Sequence, residues 1–218
     1  MSILRRLLGR FGLSASSLSS RFSRIYEQHA WSGGGAETRS GAGSTIVATE
    51  QIRSQLPRLL REYQATGLMD IGCGDFNWMK EVELPVPYLG LDIVDSMISS
   101  NSAKYGTNAI RFACLDATRE PLPAGYDFAI CREVLFHLSF RDCKRLLRNV
   151  LSSEARFLML TTSRKIATNK DIVSGGFRNL NLEAPPFNFP KPQEFVEDNS
   201  ISEDRILGLW RTEDLPTV

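Results

Sequence analysis

The sequence predicts an α/β protein, a mostly parallel β-sheet packed between two layers of helices. Three observations carry that expectation. Short apolar runs alternate with helix-compatible stretches from about residue 45 to residue 163. The first run ends in a turn bracketed by glycine, Gly72-Cys73-Gly74. Three consecutive runs carry an aspartate at or near their carboxyl ends: Asp70, Asp92 and Asp116. In such sheets ligands sit beyond the carboxyl ends of the strands, so the last two observations also mark a site.

The elements follow in order. Ile52, Leu56, Leu59, Leu60 and Tyr63 recur at i, i+4, i+7, i+8 and i+11, the stripe of an amphipathic helix, with Ser44 or Thr45 as its expected cap. Residues 67–72 read as the first strand, and 77–83 are compatible with a short helix. Residues 86–94, introduced by Pro85 and Pro87, read as the second strand; 95–105 form a helix with Asp95 as cap. Strands are expected at 109–116 and 126–131. Ser139 precedes Asp142 by three, a start resembling a capping box, and Cys143, Leu146, Leu147, Val150 and Leu151 give the next helix its apolar face. Residues 155–163 form a fifth strand and 205–210 a final one. Residues 164–200 break the alternation: Gly175 to Pro192 holds four prolines and three phenylalanines, which reads as a structured loop with buried aromatics.

The 218 residues suit one domain with an appendage. We divide them into a basic amphipathic N-terminal segment, 1–30, and a domain, 31–218. The domain opens with a glycine-rich loop at 31–45 and carries a Pro/Phe-rich loop at 175–192. Apolar residues at 42% and charged residues at 23% describe a soluble globular chain. No apolar run approaches the ~20 residues of a spanning helix. A net charge of +1 leaves no general electrostatic footprint for nucleic acid.

The charge is unevenly placed. Residues 1–30 hold Arg5, Arg6, Arg10, Arg21 and Arg24 against Glu27, whereas Gln193 to the end holds seven acids and two arginines. The two ends are read as packing together, or the first as a basic arm for anionic surfaces. Ile3, Leu4, Leu7, Leu8 and Phe11 have helical spacing among the arginines, which suits a retained surface helix in peripheral contact with a membrane. A transit peptide is the alternative. The four cysteines form no C-x-x-C pair and there are two histidines, so no metal site is expected; buried free thiols in a reducing, cytoplasmic setting are.

The site residues define a ligand. Gly72 and Gly74 let the backbone turn tightly and approach a bound molecule. Asp92, 22 residues after Asp70, stands where a carboxylate accepts both hydroxyls of a ribose. Asp116 and the backbone N–H of Ala117 suit an adenine edge. A dinucleotide site expects G-x-G-x-x-G, yet Asn77 occupies the third glycine's place; no G-K-[ST] occurs either. A nucleoside without a diphosphate fits better than NAD or ATP.

The segments LMDIGCGDFNWM, YLGLDIV, RFACLDA and YDFAICREVLFHLS resemble the successive motifs of class I S-adenosylmethionine-dependent methyltransferases over about residues 45–163. More narrowly, the chain is similar to a bacterial-type group with a W-x-G-G-rich opening (Trp31 to Gly35), a C-R-[DE]-V-L-F-H-L block (Cys131 to Leu138) and an N-L-x-x-x-P-F-x-x-P tail (Asn181 to Pro190). The resemblance implies a three-layer α-β-α sandwich on a mostly parallel seven-stranded sheet with a final antiparallel strand, and S-adenosylmethionine as cofactor. It implies that Asp70, Gly72 and Gly74 surround the methionine moiety. Asp92 and Ile93 would hold the ribose and one adenine face, Asp116 and Ala117 would meet the adenine edge, and Cys131 and Arg132 would lie near the sulfonium. The Asn-Pro-Pro-aromatic motif of many base and amide N-methyltransferases is not at that position, which reads Arg132-Glu133; the similar letters at 184–187 follow the fifth strand and read as a structural loop.

The expected activity is methyl transfer to a small-molecule or glycan-like acceptor, with O-methylation as an extension. A hydroxyl acceptor needs a base, and His137 leads by residue type and position, with Glu133 second. Arg178 and Asn181 in the Pro/Phe-rich loop are expected to contact the acceptor; a loop that only covers a sheet edge is the alternative. The rival functions are a Rossmann oxidoreductase linked to NAD or a nucleotide sugar, disfavoured by the missing third glycine, and a noncatalytic nucleoside-binding scaffold, disfavoured by the three intact carboxylates.

Overall fold

The computed structural model describes residues 17–31 and 37–217. The apolar positions expected on an N-terminal helix, Ile3 to Phe11, lie outside the described residues. Seven strands form one sheet: β1 (Leu68–Ile71), β2 (Tyr88–Asp92), β3 (Ile110–Cys114), β4 (Phe128–Cys131), β5 (Phe157–Ser163), β6 (Glu194–Glu197) and β7 (Arg205–Arg211). Their order is β3-β2-β1-β4-β5-β7-β6. The first five are parallel; β7 runs antiparallel to β5 and β6. The chain leaves the β1–β3 half and returns through β4, which opens a crevice at the carboxyl ends of β1 and β4. The expected three-layer, mostly parallel sandwich is the fold.

Four helices cover the sheet among the described residues: α1 (Leu18–Glu27), α2 (Glu50–Glu62), α3 (Asp95–Tyr105) and α4 (Phe140–Leu151). The expected stripe of α2 buries Ile52, Leu56, Leu59 and Leu60 against Leu68, Tyr88 and Phe128 on one face. Cys143, Leu146, Leu147 and Val150 of α4 close the other face, together with Phe22 and Tyr26 of α1. None of these helices is long and apolar enough to cross a membrane.

Several boundaries differ from expectation. Ser139 caps α4 as expected, its hydroxyl accepting from the Asp142 N–H at 3.2 Å. Asp95 is the first residue of α3 rather than its cap, which is Val94. Thr45 serves the turn before α2, accepting from the Ala48 N–H at 3.2 Å, and α2 starts only at Glu50. Of the helix expected at 77–83 a single short turn forms, Met79–Glu81, because Pro85 and Pro87 leave no room to extend it. Strand β6 falls in the segment read as irregular; it is a short edge strand with an acid at each end, a composition that discourages edge pairing and looks like loop.

The N-terminal boundary also moves. Helix α1 is part of the domain: Phe22 and Tyr26 are core residues, and the Ser19 hydroxyl donates to the Ile93 carbonyl at 3.2 Å. Arg5, Arg6 and Arg10 of the basic end lie outside the described residues, and among those described the acidic C-terminal segment pairs with other parts of the domain. Its acids Glu194, Glu197 and Asp198 pair with Arg58, Arg164 and Arg132.

Candidate active site

The turn after β1 is built by two glycines in the left-handed region, Gly72 at φ +79° and Gly74 at φ +57°. A Cβ on Gly72 would stand 2.3 Å from Val134 Cγ2, so the turn can lie beside the loop after β4 only without a side chain. The Asp92 carboxylate locks the turn to β2. One oxygen accepts from the Gly74 N–H at 3.1 Å and the other from the Val94 N–H at 3.0 Å.

These elements bound a cavity with about 970 Å³ of empty space, its open mouth included. The floor brings together Asp70, Gly72, Gly74, Asp92, Ile93 and Asp116, joined by Ala117 and Thr118. Arg132, Glu133, Val134 and His137, from the loop after β4, form one wall; Trp78 lines it and also packs in the core. Leu18, Phe22, Tyr26 and Trp31 roof it, with Ser40 and Ser44 at the side.

The roof is strapped down by polar contacts. The Ser40 hydroxyl donates to Asp75 at 3.1 Å and lies 3.3 Å from the Tyr26 hydroxyl, while the Thr38 hydroxyl and the Arg39 N–H both reach Asp75 at 2.7 Å. The glycine-rich loop is thus a lid in its described part.

Electrostatics favour a cationic ligand. Asp70, Asp92 and Asp116 line the cavity, while the charges of Arg132 and Glu133 in the wall are balanced by Asp198 and Arg205. Burial pushes the Asp70 carboxyl up to about 7, although the Tyr88 hydroxyl donates to it at 2.9 Å. Burial also raises Asp92, opposed by its backbone N–H donors. Asp116 is turned toward Thr118, whose N–H and hydroxyl reach it at 3.0 and 2.6 Å.

The wall after β4 is an ion-pair cluster. Arg132 makes a bidentate pair with Asp198, and Arg205 donates to the Glu133 carboxylate. Glu133 sits at φ +57°, a strained position for a side-chain-bearing residue, and its N–H donates to the Thr161 hydroxyl at 2.9 Å. His137 places its Nδ1 2.8 Å from the Gly176 carbonyl. A carbonyl only accepts, so Nδ1 carries the proton and Nε2 holds the lone pair of the neutral ring. Burial lowers the imidazole below its ordinary value.

Three expected site residues are placed elsewhere. Cys131 is 1% exposed inside the core cluster and does not line the cavity; its neighbours Arg132 and Glu133 do. Arg178 is buried beneath the loop after β4, donating to the Leu135 and Phe136 carbonyls at 2.8 and 2.9 Å. Asn181 ties the Pro/Phe-rich loop to itself, donating to the Ile166 carbonyl at 2.8 Å and accepting from the Glu183 N–H at 2.9 Å. Arg178 also reaches the Cys143 sulfur through Nη2, the Asn181 amide is committed to the backbone, and neither residue lines the cavity. Phe187 and Phe189 are core residues, and the second half of that loop covers the sheet.

Sequence reasoning missed the roof. Leu18, Phe22, Ile25 and Tyr26 stand at i, i+4, i+7 and i+8, a helical stripe that was present but masked by surrounding serines and arginines. Asp198 and Arg205, on the β6–β7 hairpin, gave no local signal at all.

Residues 69–159, from β1 to β5, match the family model described as a methyltransferase domain. Among curated proteins none matches the chain. Among solved structures, the N-methyltransferase NodS from Bradyrhizobium japonicum WM9 is similar with a TM-score of 0.61 at 15% identity, over 88% of this chain and 98% of that one. The mitomycin 7-O-methyltransferase MmcR gives 0.57 at 14% identity, over 79% and 56%. Magnesium protoporphyrin IX methyltransferase (ChlM) from Synechocystis PCC 6803 gives 0.51 at 18% identity, over 72% and 82%. At these identities the likeness is one of fold. The stretch from β1 to β5 thus carries a methyltransferase domain, on a sheet that has the fold of the class I S-adenosylmethionine-dependent methyltransferases.

Proposed function

We propose that the protein transfers the methyl group of S-adenosylmethionine to a hydroxyl of a small-molecule or glycan-like acceptor, with His137 as general base. One observation carries this reading: the neutral imidazole, its Nδ1–H committed to the Gly176 carbonyl, lines the same cavity as the three strand-end aspartates.

The residues present fit the cofactor. Asp70 and the Gly72–Gly74 turn would hold the methionine end. Asp92 and Ile93 would hold the ribose and one adenine face, and Asp116 and Ala117 the adenine edge. The carboxylate-rich lining suits a molecule with a sulfonium and an ammonium. When bound, the cofactor supplies a methyl group already activated on sulfur. The chain must then align an acceptor oxygen, exclude water and take a proton. A free hydroxyl holds its proton far above neutrality, so the base is the residue an O-methyltransferase needs and an amine acceptor can do without. Arg132 and Glu133 shape the wall beside His137.

The proposed small or glycan-like acceptor class is supported by the aromatic roof over the strand-end cavity, formed by Phe22, Tyr26 and Trp31. Three of the four cysteines are buried free thiols, which suits a reducing cytoplasmic compartment.

The test is methyl transfer from labelled cofactor into sugar, lipid and small-molecule pools. We expect label in a hydroxyl-bearing product, with His137→Ala lowering kcat by ~10²–10⁴-fold. Label on an amine, with full turnover by folded His137→Ala, would overturn the O-methyl reading.

A further inference from the structure

We propose that Trp31 is a positioning residue for His137, so that the base is fully assembled only when the N-terminal arm is docked over the cavity. This rests on the reading of His137 as the base.

Among the described residues the imidazole has one polar anchor, the 2.8 Å bond from Nδ1 to the Gly176 carbonyl. A ring held at one atom can still swing about that bond. Its plane is set by Trp31, whose ring stacks on it at 4.5 Å with a 30° interplanar angle. The half-exposed side is flanked by Phe177 at 5.7 Å. The backbone of His137 is fixed separately, its N–H donating to the Val134 carbonyl at 2.9 Å and its carbonyl accepting from the Gly175 N–H at 2.7 Å. Trp31 therefore acts on the ring and not on the chain around it.

Trp31 has no proton to exchange with a substrate at neutral pH; its contribution is a face and the exclusion of water. Its own position depends on α1, against which it packs edge-on to Tyr26 at 5.3 Å and tilted to Phe22 at 5.8 Å. Helix α1 is held down by Ser19 on the Ile93 carbonyl and by Arg21 on the Ser174 carbonyl. Phe22, Tyr26 and Trp31 also roof the cofactor cavity. A ligand filling that cavity binds the docked arm better than the undocked one, and so favours the stacked imidazole. Cofactor binding and assembly of the base are coupled through one aromatic cluster.

The charged groups facing the imidazole are Glu133, which favours its protonation, and Arg178 and Arg205, which oppose it. They come from the loop after β4, the Pro/Phe-rich loop and β7, and none moves with the arm. Loss of Trp31 removes burial alone, so the imidazole should titrate closer to its ordinary value near 6.5.

The chain has two histidines, His29 and His137, so the imidazole signals separate in NMR spectra once a His29→Gln variant assigns them. The titration and tautomer of His137 are followed in the full chain, in Trp31→Ala, Trp31→Leu and Trp31→Phe, without and with S-adenosylhomocysteine. We expect an upward shift in the pKa and a mixed tautomer in Trp31→Ala and Trp31→Leu. We expect both to be restored in Trp31→Phe. In the unsubstituted chain, S-adenosylhomocysteine should depress the titration further. An unchanged titration and tautomer in a folded Trp31→Ala or Trp31→Leu overturns the positioning role. A ligand that binds by calorimetry yet leaves His137 unmoved overturns the coupling. Failure of the ligand to bind at all counts against the cofactor cavity, while the ligand-free titrations still decide the role of Trp31.

Discussion

The guanidinium of Arg132 and the carboxylate of Asp198 form a bidentate pair, Nε to Oδ2 at 3.0 Å and Nη2 to Oδ1 at 2.7 Å, across 66 residues of sequence. The pair bolts the loop after β4 to the end of the β6–β7 hairpin, and with Glu133 and Arg205 it makes the cavity wall a charge-balanced cluster. Both side chains are almost wholly buried. Breaking such a pair from one side leaves an uncompensated charge in a poorly solvated place. Asp198→Ala should therefore cost about 3–5 kcal/mol in urea unfolding, while a double apolar replacement, Arg132→Met with Asp198→Leu, should recover most of that loss. A single variant within experimental error of the parent would contradict the pairing.

Asp92 has two tasks. Its carboxylate holds the backbone N–H groups of Gly74 and Val94, and we assign it the ribose as well. A hydrogen bond to a charged group is worth roughly 1.5–3 kcal/mol, so Asp92→Ala should weaken S-adenosylhomocysteine binding by about 10- to 150-fold. It should also lower the melting temperature of the ligand-free protein, since the turn loses two ties. Calorimetry and a thermal scan measure the two effects separately; unchanged affinity in a folded variant would remove Asp92 from the cofactor.

Gly72 tests the turn itself. Its φ of +79° strains any other residue, and a new Cβ would meet Val134 Cγ2 at 2.3 Å. Gly72→Ala should destabilise by more than the ~1 kcal/mol ascribed to an unfavourable backbone alone. Adding Val134→Ala should return the steric part and leave the backbone part. Equal stability of single and double variants would mean that the turn does not abut the loop after β4.

Asp70 predicts a pH dependence. Burial raises its carboxyl from 3.8 to about 7, so the folded ligand-free protein keeps a proton that the unfolded chain releases near 4. The stability contributed by this group is present below about 4 and is lost as pH rises toward 7. Cofactor binding has the opposite sign, because a cationic ligand prefers the carboxylate. Affinity for S-adenosylmethionine should rise between pH 6 and 8, and Asp70→Asn should flatten that rise. A flat profile in the parent protein would show Asp70 to be remote from the ligand's charge.

Much of this was legible because buried parallel strands are written locally. β1, β2 and β4 are short buried apolar runs, and the residues at or just after their ends line the crevice wherever the chain later goes. Asp70, Asp92 and Asp116 stand at the cavity for that reason. Cys131 was misplaced by a single position: it ends β4 inside the core, and the cavity begins at Arg132. Arg178 and Asn181 look like ligand-binding residues in a polar stretch, but their partners are backbone groups up to 43 residues away, which no spacing rule reveals. Helix α1 was hidden by its composition, because the residues that bury it are few among serines and arginines.

Direct titration of the protein with S-adenosylhomocysteine, S-adenosylmethionine and NAD tests the central claim most closely. The cavity lacks the third glycine of a dinucleotide turn and is lined by Asp70, Asp92 and Asp116, so both sulfur nucleosides should bind and raise the melting temperature, while NAD should do neither. Tight binding of NAD with no binding of either sulfur nucleoside would contradict the account.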